Sequence, residues 1–206
     1  MLITNSMQNI IRVLLNKDNI GLRVLAKEAN VPLGVTVKNV KALEKTRYIE
    51  KKINIKVINT LRLLKAWSYT VSVKELKTTQ FVAAERPQFV IKKISSALLK
   101  NKIKYAFTLF SATELIAPYV TPVETHVYII ESDKDKVKDS FEKTNILPAQ
   151  SGNVICFLVT EDYFYNMQKV YDFNVISLPQ LYVDLFSYGG RGEDAAEKIL
   201  EIIKNV

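Results

Sequence analysis

The 206-residue chain is 48% hydrophobic with only six Gly and six Pro, which excludes a disordered or collagen-like polypeptide and suits one or two small globular domains. Its single cysteine, Cys156, excludes an intramolecular disulfide. Without a charged-then-apolar leader or an apolar run of membrane-spanning length, a cytoplasmic protein with no membrane association is expected. The formal charge of +8 is divided unevenly: residues 1–104 carry 21 Lys and Arg against 6 Asp and Glu, while residues 105–206 carry 8 against 15, so a +15 half precedes a −7 half. Clustered Lys and Arg bind polyanions by releasing counterions, so double-stranded DNA is the expected partner of the first half; a solvated basic surface without a nucleic acid is the other reading.

Ile10, Ile11, Leu14 and Leu15 recur at helical spacing after Ser6, a candidate N-cap, and predict a helix over Met7–Lys17. Asp18, Asn19 and Gly21 end it. A second helix is expected over Leu22–Asn30, then a tight turn at Val31-Pro32-Leu33-Gly34, then a third helix over Val35–Lys45. On that helix Val37, Val40 and Leu43 share one face, Lys38, Asn39, Ala42 and Lys45 lie broadly opposite, and Lys41 sits at the boundary. The period then changes to two: Tyr48–Glu50 and Ile53–Val57 predict a small hairpin, Ile53, Ile55 and Val57 alternating with Asn54 and Lys56, with Lys51 and Lys52 at or near its tip. Thr60–Tyr69, with Leu61, Leu64 and Trp67, predicts a scaffold helix. Residues Val71–Ala84 are ambiguous, with a strand near Phe81, and Pro87 opens a helix reaching Asn101.

The second half predicts strand Tyr105–Leu109, helix Ala112–Tyr119, strand Thr125–Ile130, helix Lys134–Thr144, strand Val154–Thr160, a short segment Phe173–Ser177 and two closing helices. Pro179 opens the first; Gly189, Gly190 and Gly192 break it before a last helix over Glu193–Lys204. The expected architecture is α+β or α/β, divided as a winged helix-turn-helix in residues 1–70, a connecting helical segment in 71–104, and an acidic α/β domain in 105–206.

Three short helices followed by a two-stranded ribbon is the winged helix-turn-helix order, in which the third helix enters the major groove and the ribbon touches the backbone. The segment AKEANVPLGVTVKNVKALEKTRYIE, Ala26–Glu50, resembles the helix-turn-helix core of many prokaryotic regulators. Arg47 stands where such sequences usually carry Gly, which argues against a left-handed residue there and adds a positive charge. Lys38 and Asn39 are the candidates for base-edge contacts, because amides pair with adenine and Lys donates to guanine acceptors. Lys41, Lys45, Arg47, Lys51 and Lys52 are candidates for phosphate contacts, which position without reading sequence. The other reading of these residues is the solvated face of a protein-interaction domain.

The second half offers little chemistry. Strand, turn, helix and strand over residues 105–130 resemble the opening of a nucleotidyltransferase fold, but Phe110-Ser111 replaces its Gly-Ser pair. Glu124-Thr125-His126 is a poor substitute for the paired carboxylates that two-metal catalysis needs. A degenerate fold without metal, cofactor or catalytic residues is therefore expected. Sole His126 has no Cys or second His to complete a zinc site, Ser111 lacks a nucleophile elbow, and Cys156 sits in an apolar strand as an inert thiol. Gly189-Gly190-Arg191-Gly192 is either a phosphate nest or a turn between helices with Arg191 paired to Asp184; no Lys-Ser or Lys-Thr follows as in a P-loop, which favours the turn. The aromatics Tyr163, Phe164, Tyr165, Tyr171 and Phe173 suit either a binding surface or packing.

YAFTLFSATELIAPYV (Tyr105–Val120), LYVDLFSYGGRGEDAAEKIL (Leu181–Leu200) and LLKAWSY (Leu63–Tyr69) are similar to segments of the AbiEi antitoxin family, the DL-x-x-x-GGRGEDAA stretch being the most specific. The resemblance implies an N-terminal winged helix-turn-helix that represses its own operon, a C-terminal domain needed for antitoxicity, and a nucleotidyltransferase toxin as functional partner. The function expected is a sequence-specific DNA-binding repressor, acting as a homodimer on paired half-sites. The alternatives are a nucleotidyltransferase-like enzyme acting on nucleic acid and a winged-helix adaptor that binds protein.

Overall fold

The computed structural model describes residues 3–118 and 122–205; Tyr119 and Val120, which end the helix expected from Ala112 and the first AbiEi-like run, lie outside the described residues. Helix α1 spans Asn5–Asn16 and begins earlier than the sequence pattern suggests, because Thr4, rather than Ser6, is the N-cap and accepts from Met7 N at 3.4 Å. Helices α2 (Leu22–Glu28) and α3 (Leu33–Lys45) follow, then strands β1 (Ile49–Lys51) and β2 (Ile55–Val57), and helix α4 (Thr60–Ser68), capped by Asn59. Pro32 caps α3, so Leu33 and Gly34 form its first turn instead of belonging to a preceding loop. Ile20 adds a backbone bridge to Ile55, which ties the ribbon to the α1–α2 connection. Ile10, Ile11, Leu25, Val40, Leu43, Ile55, Leu64 and Trp67 fill the interior of this N-terminal unit. Burying each large side chain stabilises the unit by roughly 1.5–3 kcal/mol.

The remaining chain is built on a mixed seven-stranded sheet. Its elements are β3 (Thr78–Val82), α5 (Pro87–Lys100), β4 (Tyr105–Phe107), α6 (Leu109–Ile116), β5 (Thr125–Ile130), α7 (Lys134–Glu142), β6 (Leu147–Ala149), β7 (Val154–Val159), β8 (Gln168–Val170), β9 (Phe173–Val175), α8 (Leu178–Tyr188) and α9 (Arg191–Asn205). The spatial order is β6-β3-β7-β5-β4-β9-β8, with β5–β7 and β4–β9 parallel and the other neighbours antiparallel. Alternation along the central strands sends Tyr105, Phe107, Val127, Ile129 and Cys156 to a face covered by α5 and α7. Ala106, Tyr128 and Phe157 face the other side, with α6, α8 and α9.

Two boundaries move relative to the sequence pattern. Residues 71–104, expected as a connecting segment, contribute β3 to the sheet and α5 to its cover, so they are integral to the sheet domain. Counted with them, residues 71–206 carry 16 Lys and Arg against 17 Asp and Glu. The domain behind the N-terminal unit is therefore nearly neutral, because the change of charge sign near Lys104 falls inside it. At the C-terminal end, Gly192, expected in the break between the two closing helices, lies within the first turn of α9. A Cβ there would stand 2.3 Å from the Leu185 carbonyl oxygen, so glycine is what lets α8 and α9 pack closely after the left-handed pair Gly189-Gly190.

Candidate nucleic-acid interface

The interface begins with the face that α3 hides. Thr36, Asn39, Val40 and Leu43 are buried against α1 and α2, and the Thr36 hydroxyl donates back to Pro32 O at 3.1 Å. The opposite side is open: Gly34, Lys38, Lys41 and Lys45 are all exposed and fall within one stripe of the helix. Asn39, expected beside Lys38 on the open face, instead turns inward: it is only 8% exposed and its Nδ2 has no hydrogen-bond partner. The helix rotates it inward because Val37 is less deeply buried than the pattern of valines and leucine implied, and Thr36 takes the interior position.

At the C-terminal end, Arg47 does adopt the left-handed conformation, with φ 58°, against the expectation drawn from its side chain. Tyr48 N donates to Leu43 O at 3.0 Å and Arg47 N to Glu44 O at 2.9 Å, a Schellman closure in a non-glycine residue. The chain thus turns sharply from α3 into the ribbon and leaves the Arg47 side chain exposed.

β1 and β2 pair as Ile49↔Val57, Glu50↔Lys56 and Lys51↔Ile55. The tip is Lys52-Ile53-Asn54, closed by Lys52 N donating to Asn54 O at 3.0 Å, so Lys51 lies in the strand and is half-buried while Lys52 is at the tip. Ile53, expected in the second strand of the hairpin, lies at the tip and is 96% exposed, whereas Ile55 is buried. Lys52 also holds Glu50 at 2.9 Å, a surface ion pair of little energetic weight. Further cations are exposed nearby, among them Lys56, legible from its alternation with buried Ile55, and Arg23 on α2, which carries no local signal.

The unit is joined to the sheet domain by a buried polar relay. Arg12 of α1 is 2% exposed, lies over the rings of Trp67 and Tyr163, and donates from Nε to Gln180 Oε1 at 2.9 Å. Gln180 Nε2 donates to Asp184 Oδ1 at 2.8 Å, and Thr108 and Tyr128 each donate a hydroxyl to Asp184 Oδ2 at 2.6 Å. Burial pushes the Asp184 carboxyl up to about 6, offset in part by these donors. Burial likewise lowers Arg12 from its ordinary value. The relay ties α1, against which α3 packs, to α8 and the central strand β5.

A family model described as a transcriptional regulator, the AbiEi antitoxin of a type IV toxin–antitoxin system, matches residues 37–204. The chain belongs to the AbiEi antitoxin family. No curated protein and no solved structure matches it. The matched span starts inside α3 and runs through the ribbon and the sheet domain, so an AbiEi-family regulator here carries α1 and α2 outside the matched region.

In this AbiEi-family chain Ser111 and Cys156 are fully buried in the sheet domain. Ser111 Oγ accepts from His126 N at 2.8 Å, and burial pushes the Cys156 thiol up. His126 is buried among Phe110, Phe157 and Tyr188, with Nε2 3.4 Å from Glu124 Oε2, and that imidazole holds the Glu124 carboxyl below its ordinary value. Neither ring nitrogen of His126 makes a well-formed hydrogen bond. Among the described residues no three His, Cys, Asp or Glu gather as a metal site, and no helix is long and apolar enough to cross a membrane. Asp184 belongs to the relay, so Arg191 does not pair with it; Arg191 is exposed at the start of α9. Of the aromatics, Phe164 packs inside, Tyr165 donates to Glu28 across the seam between the two units, and Tyr171 stays exposed.

Proposed function

We propose that the N-terminal unit is a winged helix-turn-helix that binds double-stranded DNA, and that the protein represses its own operon as the antitoxin to a nucleotidyltransferase toxin encoded beside it. The observation that carries this is the open stripe of α3, where Lys38, Lys41 and Lys45 lead through Arg47 into a ribbon bearing Lys51, Lys52 and Lys56. A helix of this width fits the major groove with its lysines at phosphates and base edges, while the ribbon follows the adjoining backbone. Lys38 keeps its base-edge role; Lys41, Lys45, Arg47, Lys51 and Lys52 act as phosphate contacts, joined by Lys56. The regulator binds as a homodimer, since paired half-sites call for two-fold symmetry. In the sheet domain, β4, α6 and β5 form a nucleotidyltransferase-like arrangement without its acidic pair, and this domain serves antitoxicity without catalysis. Titration of the gene's own upstream DNA tests the function. Binding should weaken steeply with salt, and the log–log slope should fall by about one for each phosphate lysine replaced by Ala. A shallow slope unchanged in Lys41→Ala and Lys45→Ala would sink the reading.

A further inference from the structure

The open stripe of α3 contains one residue that the protein's interior does not explain. Gly34 sits in the first turn, where glycine weakens a helix relative to alanine. It has no left-handed φ to require glycine, and a Cβ built on it would meet no atom within 4 Å. Contrast Gly192, whose Cβ would strike backbone. A glycine with neither conformational nor internal steric need, at the N-terminal end of an exposed face, serves something that approaches from outside.

Its flanks are apolar. Leu33 is 45% exposed and Val35 is 39% exposed, on either side of Gly34 along the helix, and both precede Lys38 and Lys41 toward the C-terminal end. The N-terminal end of a recognition helix is the part that reaches base edges, and the major-groove edge of thymine presents a C5-methyl that apolar side chains contact. Lysines further along the same stripe supply the charge complementarity to a polyanion.

We propose that the N-terminal turn of α3 is an apolar base-reading end: Gly34 lets the helix backbone close on the floor of the major groove, and Val35, with Leu33, recognises thymine methyl groups of the operator. This rests on the DNA-binding reading of the unit and adds to it a chemical class of target, thymine-bearing steps, and the residues that select it. Asn39, buried on the other side of the helix, takes no part.

The test uses the full chain and a duplex selected by it from a random-sequence pool. Each thymine of that duplex is replaced in turn by deoxyuridine, which removes only the methyl group. The wild type should lose about threefold to fivefold in affinity at one or two positions, as expected for one buried methyl. Val35→Ser, confirmed as folded by an unchanged thermal transition, should bind thymine and uracil duplexes equally at those positions. Gly34→Leu should unfold at the same or a higher temperature, since leucine favours the helix, yet bind the duplex at least about tenfold more weakly. Equal affinity of the wild type for every uracil duplex, or undiminished binding by Gly34→Leu, overturns the proposal while leaving DNA binding intact. Failure to select any duplex removes the DNA-binding reading itself and the proposal with it.

Discussion

The N-terminal unit and the sheet domain place their polar groups in opposite ways. The unit sends Lys38, Lys41, Lys45 and Arg47 outward, where water solvates them cheaply and a polyanion can replace that water. The sheet domain takes Asp184, Gln180, Thr108 and Tyr128 inside and joins them to Arg12 of the unit, where each group needs a partner of fixed donor or acceptor sense. Surface charge is therefore free to serve binding and contributes little to stability, whereas the buried relay serves stability and orientation.

The contrast is broken or sharpened by variants on each side. Asp184→Ala leaves Tyr128, Thr108 and Gln180 without their shared acceptor and leaves Arg12 without the carboxylate its charge is relayed to. A loss of about 3–5 kcal/mol in urea unfolding is expected, and a loss under 1 kcal/mol would mean that the relay does not clamp the two units. The same carboxyl gives a pH signature. Its folded value, about 6, is raised above the ordinary 3.8, so its contribution to stability is full below about pH 4 and fades as pH rises through 6. The stability difference between wild type and Asp184→Ala should shrink over that window by at most about 3 kcal/mol, and a difference flat with pH would refute the burial of this charge. Gly192→Ala pushes a Cβ into the Leu185 carbonyl and should lower stability by about 1–3 kcal/mol with no change in salt slope for DNA.

Smaller effects are expected in the unit, and there stability and binding should separate. Asn39→Val removes a buried, unpartnered amide and should raise stability by about 1 kcal/mol with DNA affinity unchanged; weakened binding would return Asn39 to the reading face. Arg47→Gly relieves a left-handed non-glycine residue and should also gain about 1 kcal/mol in thermal unfolding. It should nevertheless lower the salt slope of DNA binding by about one under the proposed role of Arg47 as a phosphate contact.

Much of the layout was legible in the sequence because it depends on local rules. The 3.6 period of Ile10, Ile11 and Leu14, the switch to a period of two around Ile55, the strand Thr125–Ile130 and the helix opened by Pro87 all come out of side-chain spacing and backbone stereochemistry. The short strands β6 and β8 were missed, since three residues carry too little periodicity to be seen alone. The AbiEi-like GGRGEDAA stretch was equally visible, as was the band of lysines in the first half, because charge and motif survive any folding. Only the tertiary structure decided that β3 enters the sheet from a segment that read as a connector, that Asn39 turns inward while Gly34 turns out, and that Arg12, Gln180 and Asp184 meet across 168 residues of chain between Arg12 and Gln180. Each depends on which neighbour covers a given face. A single helix or strand carries its own periodicity, but burial and hydrogen-bond partnership are settled between elements, where the desolvation of one group is repaid only by another brought from elsewhere in the chain.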